Sequence, residues 1–186
     1  MVLPIITYGN NILRKPGLEV DKETSGLDAL IKNLWNTLIL SGGVGLAAPQ
    51  VNSNSKVFIV NSILAYYQIA DSERKAVFSG DKGILETFIN AQIIVSSEKK
   101  WCDLEGCLSI PGIIAPVERS WDIIVEYRDK YFNLKRKQFS GYTAKVIQHE
   151  NDHTNGILFI DHLSFLQRKL LKSKLTRIKK GVIVSN

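Results

Sequence analysis

The seven residues IQHENDH, Ile147–His153, restrict the fold of this chain more than any other stretch. They contain His-Glu-x-x-His, with His149 and His153 four positions apart and Glu150 directly after the first. Residues four apart on a helix share one face, with Cβ atoms about 6 Å apart, so a helix here lets both imidazoles converge on one metal ion. Glu150 is turned from His149 by roughly 100°, which leaves its carboxylate beside the metal and not on it. A carboxylate so placed can take a proton from water and deliver it to a leaving amine. The pattern is short enough to arise by chance on an exposed helix, but its neighbours extend it. Tyr142, Val146, His149 and His153 form a single stripe, as a metal floored by a hydrophobic pocket requires. The competing reading is a core stripe with two buried histidines, each of which still needs a partner.

Two histidines hold a metal poorly, so a third ligand is required. Metzincin-type proteases place a histidine six residues after the second, and that position holds Phe159. No glutamate follows Glu150, which removes the pattern with a downstream carboxylate. Asp161 and His162 lie beyond the Asn155–Gly156 helix stop, and His162 reads as structural. Upstream, EGCLSIPG (residues 105–112) offers Cys107, whose thiolate with two imidazoles suits zinc or ferrous iron and leaves a position open for water. The alternative for Cys107 is a small buried hydrophobe, and Cys102 is expected to be one.

The rest of the chain reads as one domain spanning residues 1–186, long enough to carry a core without staples. Thr24 or Ser25 is expected to cap a helix with an apolar stripe from Leu27 to Leu38, stopped by Gly42 and Gly43. KVFIV (56–60), FINAQIIV (88–95) and WDIIVEY (121–127) read as strands. Residues 62–86 read as an inserted loop with a short helical turn. A second helix opens at Ser140 or Gly141 and carries the histidines, and a third runs from about Ser164 to Lys180. The expected class is therefore α+β: antiparallel strands packed around a central helix carrying His-Glu-x-x-His, with N-terminal and C-terminal helices. The last residues, GVIVSN, have the composition of a short final strand.

The longest uncharged run, residues 33–55, is broken by three glycines and a proline, so no membrane span is expected. MVLPIITYGN lacks the basic and apolar regions of a signal peptide, so the expected location is the cytoplasm, with both thiols free. The net charge is +6, and the segment 163–180 alone holds seven Lys and Arg residues and no acid. Such a segment is either a solvated helix face or a docking surface for a polyanion such as ribosomal RNA.

Three blocks stand in fixed order: GVGLAAPQ (43–50), EGCLS (105–109) and QHENDH (148–153). Together they resemble the peptide deformylases, enzymes that remove the formyl group from the N-terminal methionine of new polypeptides. The likeness runs from LPIITYGNNILRKP near the start through IDHLS after the second helix, covering most of the chain. The resemblance implies that Cys107, His149 and His153 bind the metal and that Glu150 is the general base and acid. It assigns the Gln50 side chain and the Leu108 backbone N–H to stabilising negative charge at the formyl group. Gly43 and Gly45 would let backbone approach an extended substrate, with Val44, Tyr142 and Val146 forming the wall of a methionine pocket. The metal it implies is Fe²⁺, one per chain, with Zn²⁺, Ni²⁺ or Co²⁺ as substitutes. Its implied partners are formyl-Met nascent peptides and, through the basic helix 164–180, the ribosome; a monomer is expected. Asn151 and Thr154 depart from the apolar side chains usual in the family. The 62–86 segment resembles that of a longer-loop subgroup, and Lys145 is expected to face away from the metal stripe toward solvent, with its stem able to lie along the pocket rim. A metal-dependent peptidase and a non-catalytic, metal-stabilised RNA-docking protein are the two competing readings.

Overall fold

The computed structural model describes residues 1–181. The apolar stripe near the N-terminus forms α1 (Leu27–Ser41), which buries Leu27, Ile31, Leu34 and Leu38. Gly42 ends it with φ of 67°, a left-handed conformation open to glycine because it has no Cβ. The start differs from expectation. Gly26 precedes the helix and offers no side-chain acceptor, while Thr24 Oγ1 donates to Asp21 Oδ1 at 2.9 Å and accepts from Asp21 N–H at 3.0 Å. Thr24 closes a turn before the helix and does not cap it, a common competition for short polar side chains.

Five strands, β1 (Gly45–Ala47), β2 (Val57–Asn61), β3 (Leu85–Ser96), β6 (Asp122–Arg128) and β7 (Leu134–Ser140), form a sheet in the order β1-β2-β3-β6-β7. Every neighbouring pair is antiparallel. β4 (Lys100–Cys107) and β5 (Ile110–Ser120) form a separate two-stranded sheet. Val57, Phe58, Ile59 and Val60 are all 0% exposed. Val57 and Ile59 pack with Leu34 and Leu38 of α1, whereas Phe58 and Val60 pack with Ala144, Val146 and Ile147 of α4 (Gly141–Thr154). The sheet therefore lies between two helices near β2, and an unbroken apolar run is what a strand buried on both faces needs. The α4 helix is central, as expected, and Gly156, with φ of 74°, follows its end.

The expected α+β class, with a central helix and flanking N- and C-terminal helices, holds, and the differences are local. Residues 62–86 contain two helices, α2 (Ser62–Gln68) and α3 (Asp71–Phe78), and the first residues of β3. Asn61 Oδ1 accepts from Leu64 N–H at 3.3 Å to start α2, and Phe78 is buried with its ring 5.2 Å from that of Tyr142. Helices of 7 and 8 residues are too short to show an amphipathic period, so packing and capping decide them. Strands β1, β4, β5 and β7 also lay outside the sequence reading. In β5 the buried residues alternate (Ile113, Ala115, Val117), and Pro116 is tolerated because the two-stranded sheet is all edge.

α5 (Phe165–Lys179) begins at a reciprocal cap: Ser164 Oγ accepts from Gln167 N–H at 3.3 Å and Gln167 Oε1 from Ser164 N–H at 2.9 Å. It buries Leu175 and Ile178 against Phe159, Ile160 and Val117, and all seven cations of this segment are exposed. The strand expected in GVIVSN lies outside the described residues. No helix among the described residues is long and apolar enough to cross a membrane.

Candidate metal centre

The centre is built where β4 runs beside α4. A strand advances about 6.6 Å per two residues and an α-helix about 6 Å per four, so alternate residues of one can pair in step with every fourth residue of the other. β4 turns Trp101, Asp103, Glu105 and Cys107 inward. Three rungs follow: the Lys145 ammonium donates to the Asp103 carboxylate, His149 Nδ1 lies 2.8 Å from Glu105 Oε2, and His153 Nε2 lies 3.2 Å from Cys107 Sγ. The same alternation turns Cys102 outward, so it is exposed and not a buried hydrophobe.

The ligand atoms of Cys107, His149 and His153 all lie within 4.8 Å of one another, close enough to share one ion. The electrostatics fit a cation there. Burial pushes His153 well below its ordinary value, which keeps that imidazole neutral with a lone pair to offer. Burial acts the same way on His149, but hydrogen bonds with Cys107 and Glu105 outweigh it and raise His149 well above. The cluster thus draws positive charge to the point that a metal ion would occupy. One thiolate and two imidazoles are a donor set for ferrous iron or zinc.

Glu150 is buried beside the cluster, and its Oε2 has no hydrogen-bond partner. Burial pushes its carboxyl up to about 7, against the pull of His149. Gly45 explains how Glu150 fits: a Cβ at that position would lie 2.5 Å from Glu150 Oε1. The glycine makes room for the carboxylate, in addition to any close approach of a substrate.

Sequence reasoning missed Glu105, Arg119 and Asp152. Arg119 donates twice to Glu105, Nε to Oε1 at 2.8 Å and Nη2 to Oε2 at 3.0 Å, and its Nη1 donates to Asp152 Oδ2 at 2.6 Å. Burial alone would raise the Glu105 pKa, but the hydrogen bonds and charges of His149 and Arg119 hold it at about 2. The ionised carboxylate must then accept from His149 Nδ1–H, which leaves Nε2 of that ring for the shared point. Glu105 was legible in one respect, since it stands two residues before Cys107 and so shares its face of a strand. His162 Nε2 lies 2.7 Å from Asp152 Oδ2, with Arg119 and away from the cluster, consistent with a structural part.

A cavity of about 430 Å³ opens against the cluster and is lined by Gly43, Val44, Gly45, Tyr142 and Val146 among others. Gln50 and Leu108 also face it. Gln50 Oε1 accepts from Ala47 N–H at 2.8 Å, so its amino group points the other way, 3.3 Å from Ser109 Oγ and 3.6 Å from Cys107 Sγ. Leu108 sits in the tight turn that joins β4 to β5. Lys145 corrects the expectation of solvent exposure, while its place along the pocket agrees with the expected course of its stem. It is 7% exposed, lines the cavity and bonds to Asp103 and to the Leu104 carbonyl at 3.2 Å, so it does not reach solvent. Its position four residues before His149 puts it on the helix face that carries the site.

The polypeptide deformylase family model matches residues 2–169. A peptide deformylase of Christiangramia forsetii is 42% identical over 185 residues, covering 98% of this chain and 92% of that protein. The peptide deformylase structure from Thermus thermophilus superposes with a TM-score of 0.81 at 31% identity, covering 97% of this chain and 99% of that one. A Met-Ala-Ser-bound class I type b peptide deformylase from Acinetobacter baumannii gives a TM-score of 0.76 at 30% identity over 88% of this chain and 99% of that one. With the same three sequence blocks brought together around one cavity, the chain belongs to the polypeptide deformylase family.

Proposed function

We propose that Cys107, His149 and His153 hold the metal with which this chain, as a metal-dependent hydrolase of its family, removes the N-formyl group from the N-terminal methionine of newly synthesised polypeptides and releases formate. The observation that carries the assignment is the convergence of three soft and borderline donor atoms within 4.8 Å beside a buried carboxylate. When bound, the divalent ion supplies Lewis acidity that polarises the formyl group and acidifies water.

The protein's own groups account for the remaining steps. Glu150 takes a proton from water at its unpartnered Oε2 and returns it to the departing amine nitrogen; a carboxyl near 7 can do both at neutral pH. A formamide is a poor electrophile, so fixed donors aimed at the developing negative charge on its oxygen matter. Gln50 Nε2 and the Leu108 backbone N–H are those donors, and Gln50 is held for the task by Ala47. Glu105 and Arg119 fix the ring of His149. Val44, Tyr142 and Val146 receive the methionine side chain, and Gly43 and Gly45 let the extended peptide backbone approach.

The resident metal in this reading is Fe²⁺, with Zn²⁺, Ni²⁺ or Co²⁺ able to replace it. The whole chain, 1–186, works as one catalytic domain, as a monomer in the cytoplasm. The exposed cations of α5 suit ribosomal RNA phosphates, where formylated chains emerge. Formate release from formyl-Met-Ala by anaerobically prepared, iron-loaded protein tests the central claim, with acetyl-Met-Ala and internal peptides as controls. Undetectable formate defeats it, and cleavage of internal peptides would favour a peptidase. Co-sedimentation with ribosomes that survives deletion of residues 164–180 would remove the docking role.

A further inference from the structure

Lys145 is a buried cation in the wall of an otherwise largely apolar cavity, and the reaction assigned above gives it nothing to do. Its ammonium is held from the β4 side by the Asp103 carboxylate and the Leu104 carbonyl, and its Nζ lies 4.6 Å from the centre of the Tyr142 ring and 5.6 Å from that of Trp101. It forms the rung of the β4–α4 ladder next to Glu105–His149, about 6 Å further along the helix axis toward its N-terminus. On this side of the centre, Lys145, Tyr142 and Val146 line the cavity from α4 and Leu104 borders it from β4. Asp103 is not among the cavity-lining residues.

We propose that the Lys145–Asp103 pair is a strap between α4 and β4 that closes the end of the methionine pocket away from the metal ligands, making Lys145 a specificity-determining residue and Asp103 its positioning residue. The proposal rests on the assignment of this cavity to the methionine side chain. The (CH₂)₄ stem of Lys145 supplies apolar wall, while its charged end is neutralised by Asp103 and faced by two aromatic rings, so the pocket stays apolar inside. The strap sets pocket width because helix and strand cannot part at this rung without breaking a partly buried ion pair. Without it the wall yields, and side chains broader than methionine fit. A difference of this kind in an apolar pocket changes selectivity by about 10-fold to 200-fold.

The test compares kcat/KM for formyl-Met-Ala and formyl-Phe-Ala in the wild type, Lys145→Ala, Lys145→Met, Asp103→Asn and the double variant Lys145→Ala/Asp103→Asn, each with its metal content measured. The expected result is a rise of about 10-fold or more in the Phe-to-Met ratio for Lys145→Ala, carried mainly by KM. Asp103→Asn should shift the ratio the same way although it does not line the cavity, Lys145→Met by less than Lys145→Ala, and Lys145→Ala should mask Asp103→Asn in the double variant. A ratio within twofold of wild type in the metal-loaded variants overturns the strap, as does an equal loss for both substrates. If Lys145→Ala fails to fold, Asp103→Asn and Lys145→Met decide on the same criterion. Failure of the underlying assignment looks different, because the wild type itself would then release no formate from formyl-Met-Ala.

Discussion

Glu105 Oε2 lies 2.8 Å from His149 Nδ1, so a carboxylate on β4 determines which nitrogen of a helix imidazole faces Cys107 and His153. The contact ties two sequence blocks that are 44 residues apart, and it makes Glu105 as much a part of the centre as the cysteine and histidines beside it. Glu105→Gln keeps an oxygen acceptor but loses the charge that Arg119 and His149 both hold. Metal affinity, measured by competition with a chromophoric chelator, should fall by about 10-fold to 100-fold. An unchanged affinity would show that the ring is oriented by something else.

Arg119 is the counter-ion for a buried carboxylate, Glu105, and a partly buried one, Asp152, with its own side chain 4% exposed. Arg119→Ala leaves Glu105 with only His149 and Asp152 with only His162, and the loss of the shared cation should cost about 3–5 kcal/mol in urea-induced unfolding. A loss below about 1 kcal/mol would mean that His162 and water take over the role.

Glu150→Ala should keep its metal, because the carboxylate is not one of the three clustered groups proposed to hold it. Formate release should fall by about 10²–10⁴-fold, the usual weight of general acid–base catalysis. Activity within tenfold of the wild type would remove Glu150 from the proton path.

Gly45→Ala tests the fit of Glu150 from the other side. The added methyl would stand 2.5 Å from Oε1 and 2.7 Å from Cγ of Glu150, so the carboxylate must move. A misplacement of about 1 Å can cost about 10²-fold. The expected signature is a fall in kcat of that order with metal content unaltered, and a variant with full activity would show that Glu150 needs no such exact seat.

Asp129, which is not among the residues of the centre, offers a pH test. Its Oδ1 accepts from Tyr131 N–H at 2.9 Å and Asn133 N–H at 3.0 Å in the loop between β6 and β7. Partial burial would raise its pKa, but these bonds and the Asn133 side chain outweigh it and hold the carboxyl below its ordinary 3.8. A folded value below the unfolded one means that the stabilisation is complete well above pH 3.8 and is lost as pH falls through that value toward the lower one. The stability gap between wild type and Asp129→Asn, from urea unfolding at pH 7 and stepwise to pH 3, should narrow below about pH 4. A gap that stays constant over that range would contradict this reading.

Elements whose signals are local are legible in the amino-acid order. The apolar spacing of Leu27 to Leu38, the unbroken run of β2, the helix from about Ser164 and the i, i+4 histidines of α4 depend on neighbours within a few residues, so period and composition suffice to place them. The family is legible there too, because three short blocks in order are specific. Tertiary structure decided what depends on register between distant segments. β4 and α4 had to be aligned before Asp103, Glu105 and Cys107 could meet Lys145, His149 and His153. Only then did Lys145 turn inward and Cys102 outward, and only then did Arg119 find its two carboxylates. A side-chain pattern reports which face a residue occupies in its own element; which partner it meets across the gap is set by packing, because the energy of a buried charge depends on the group that neutralises it.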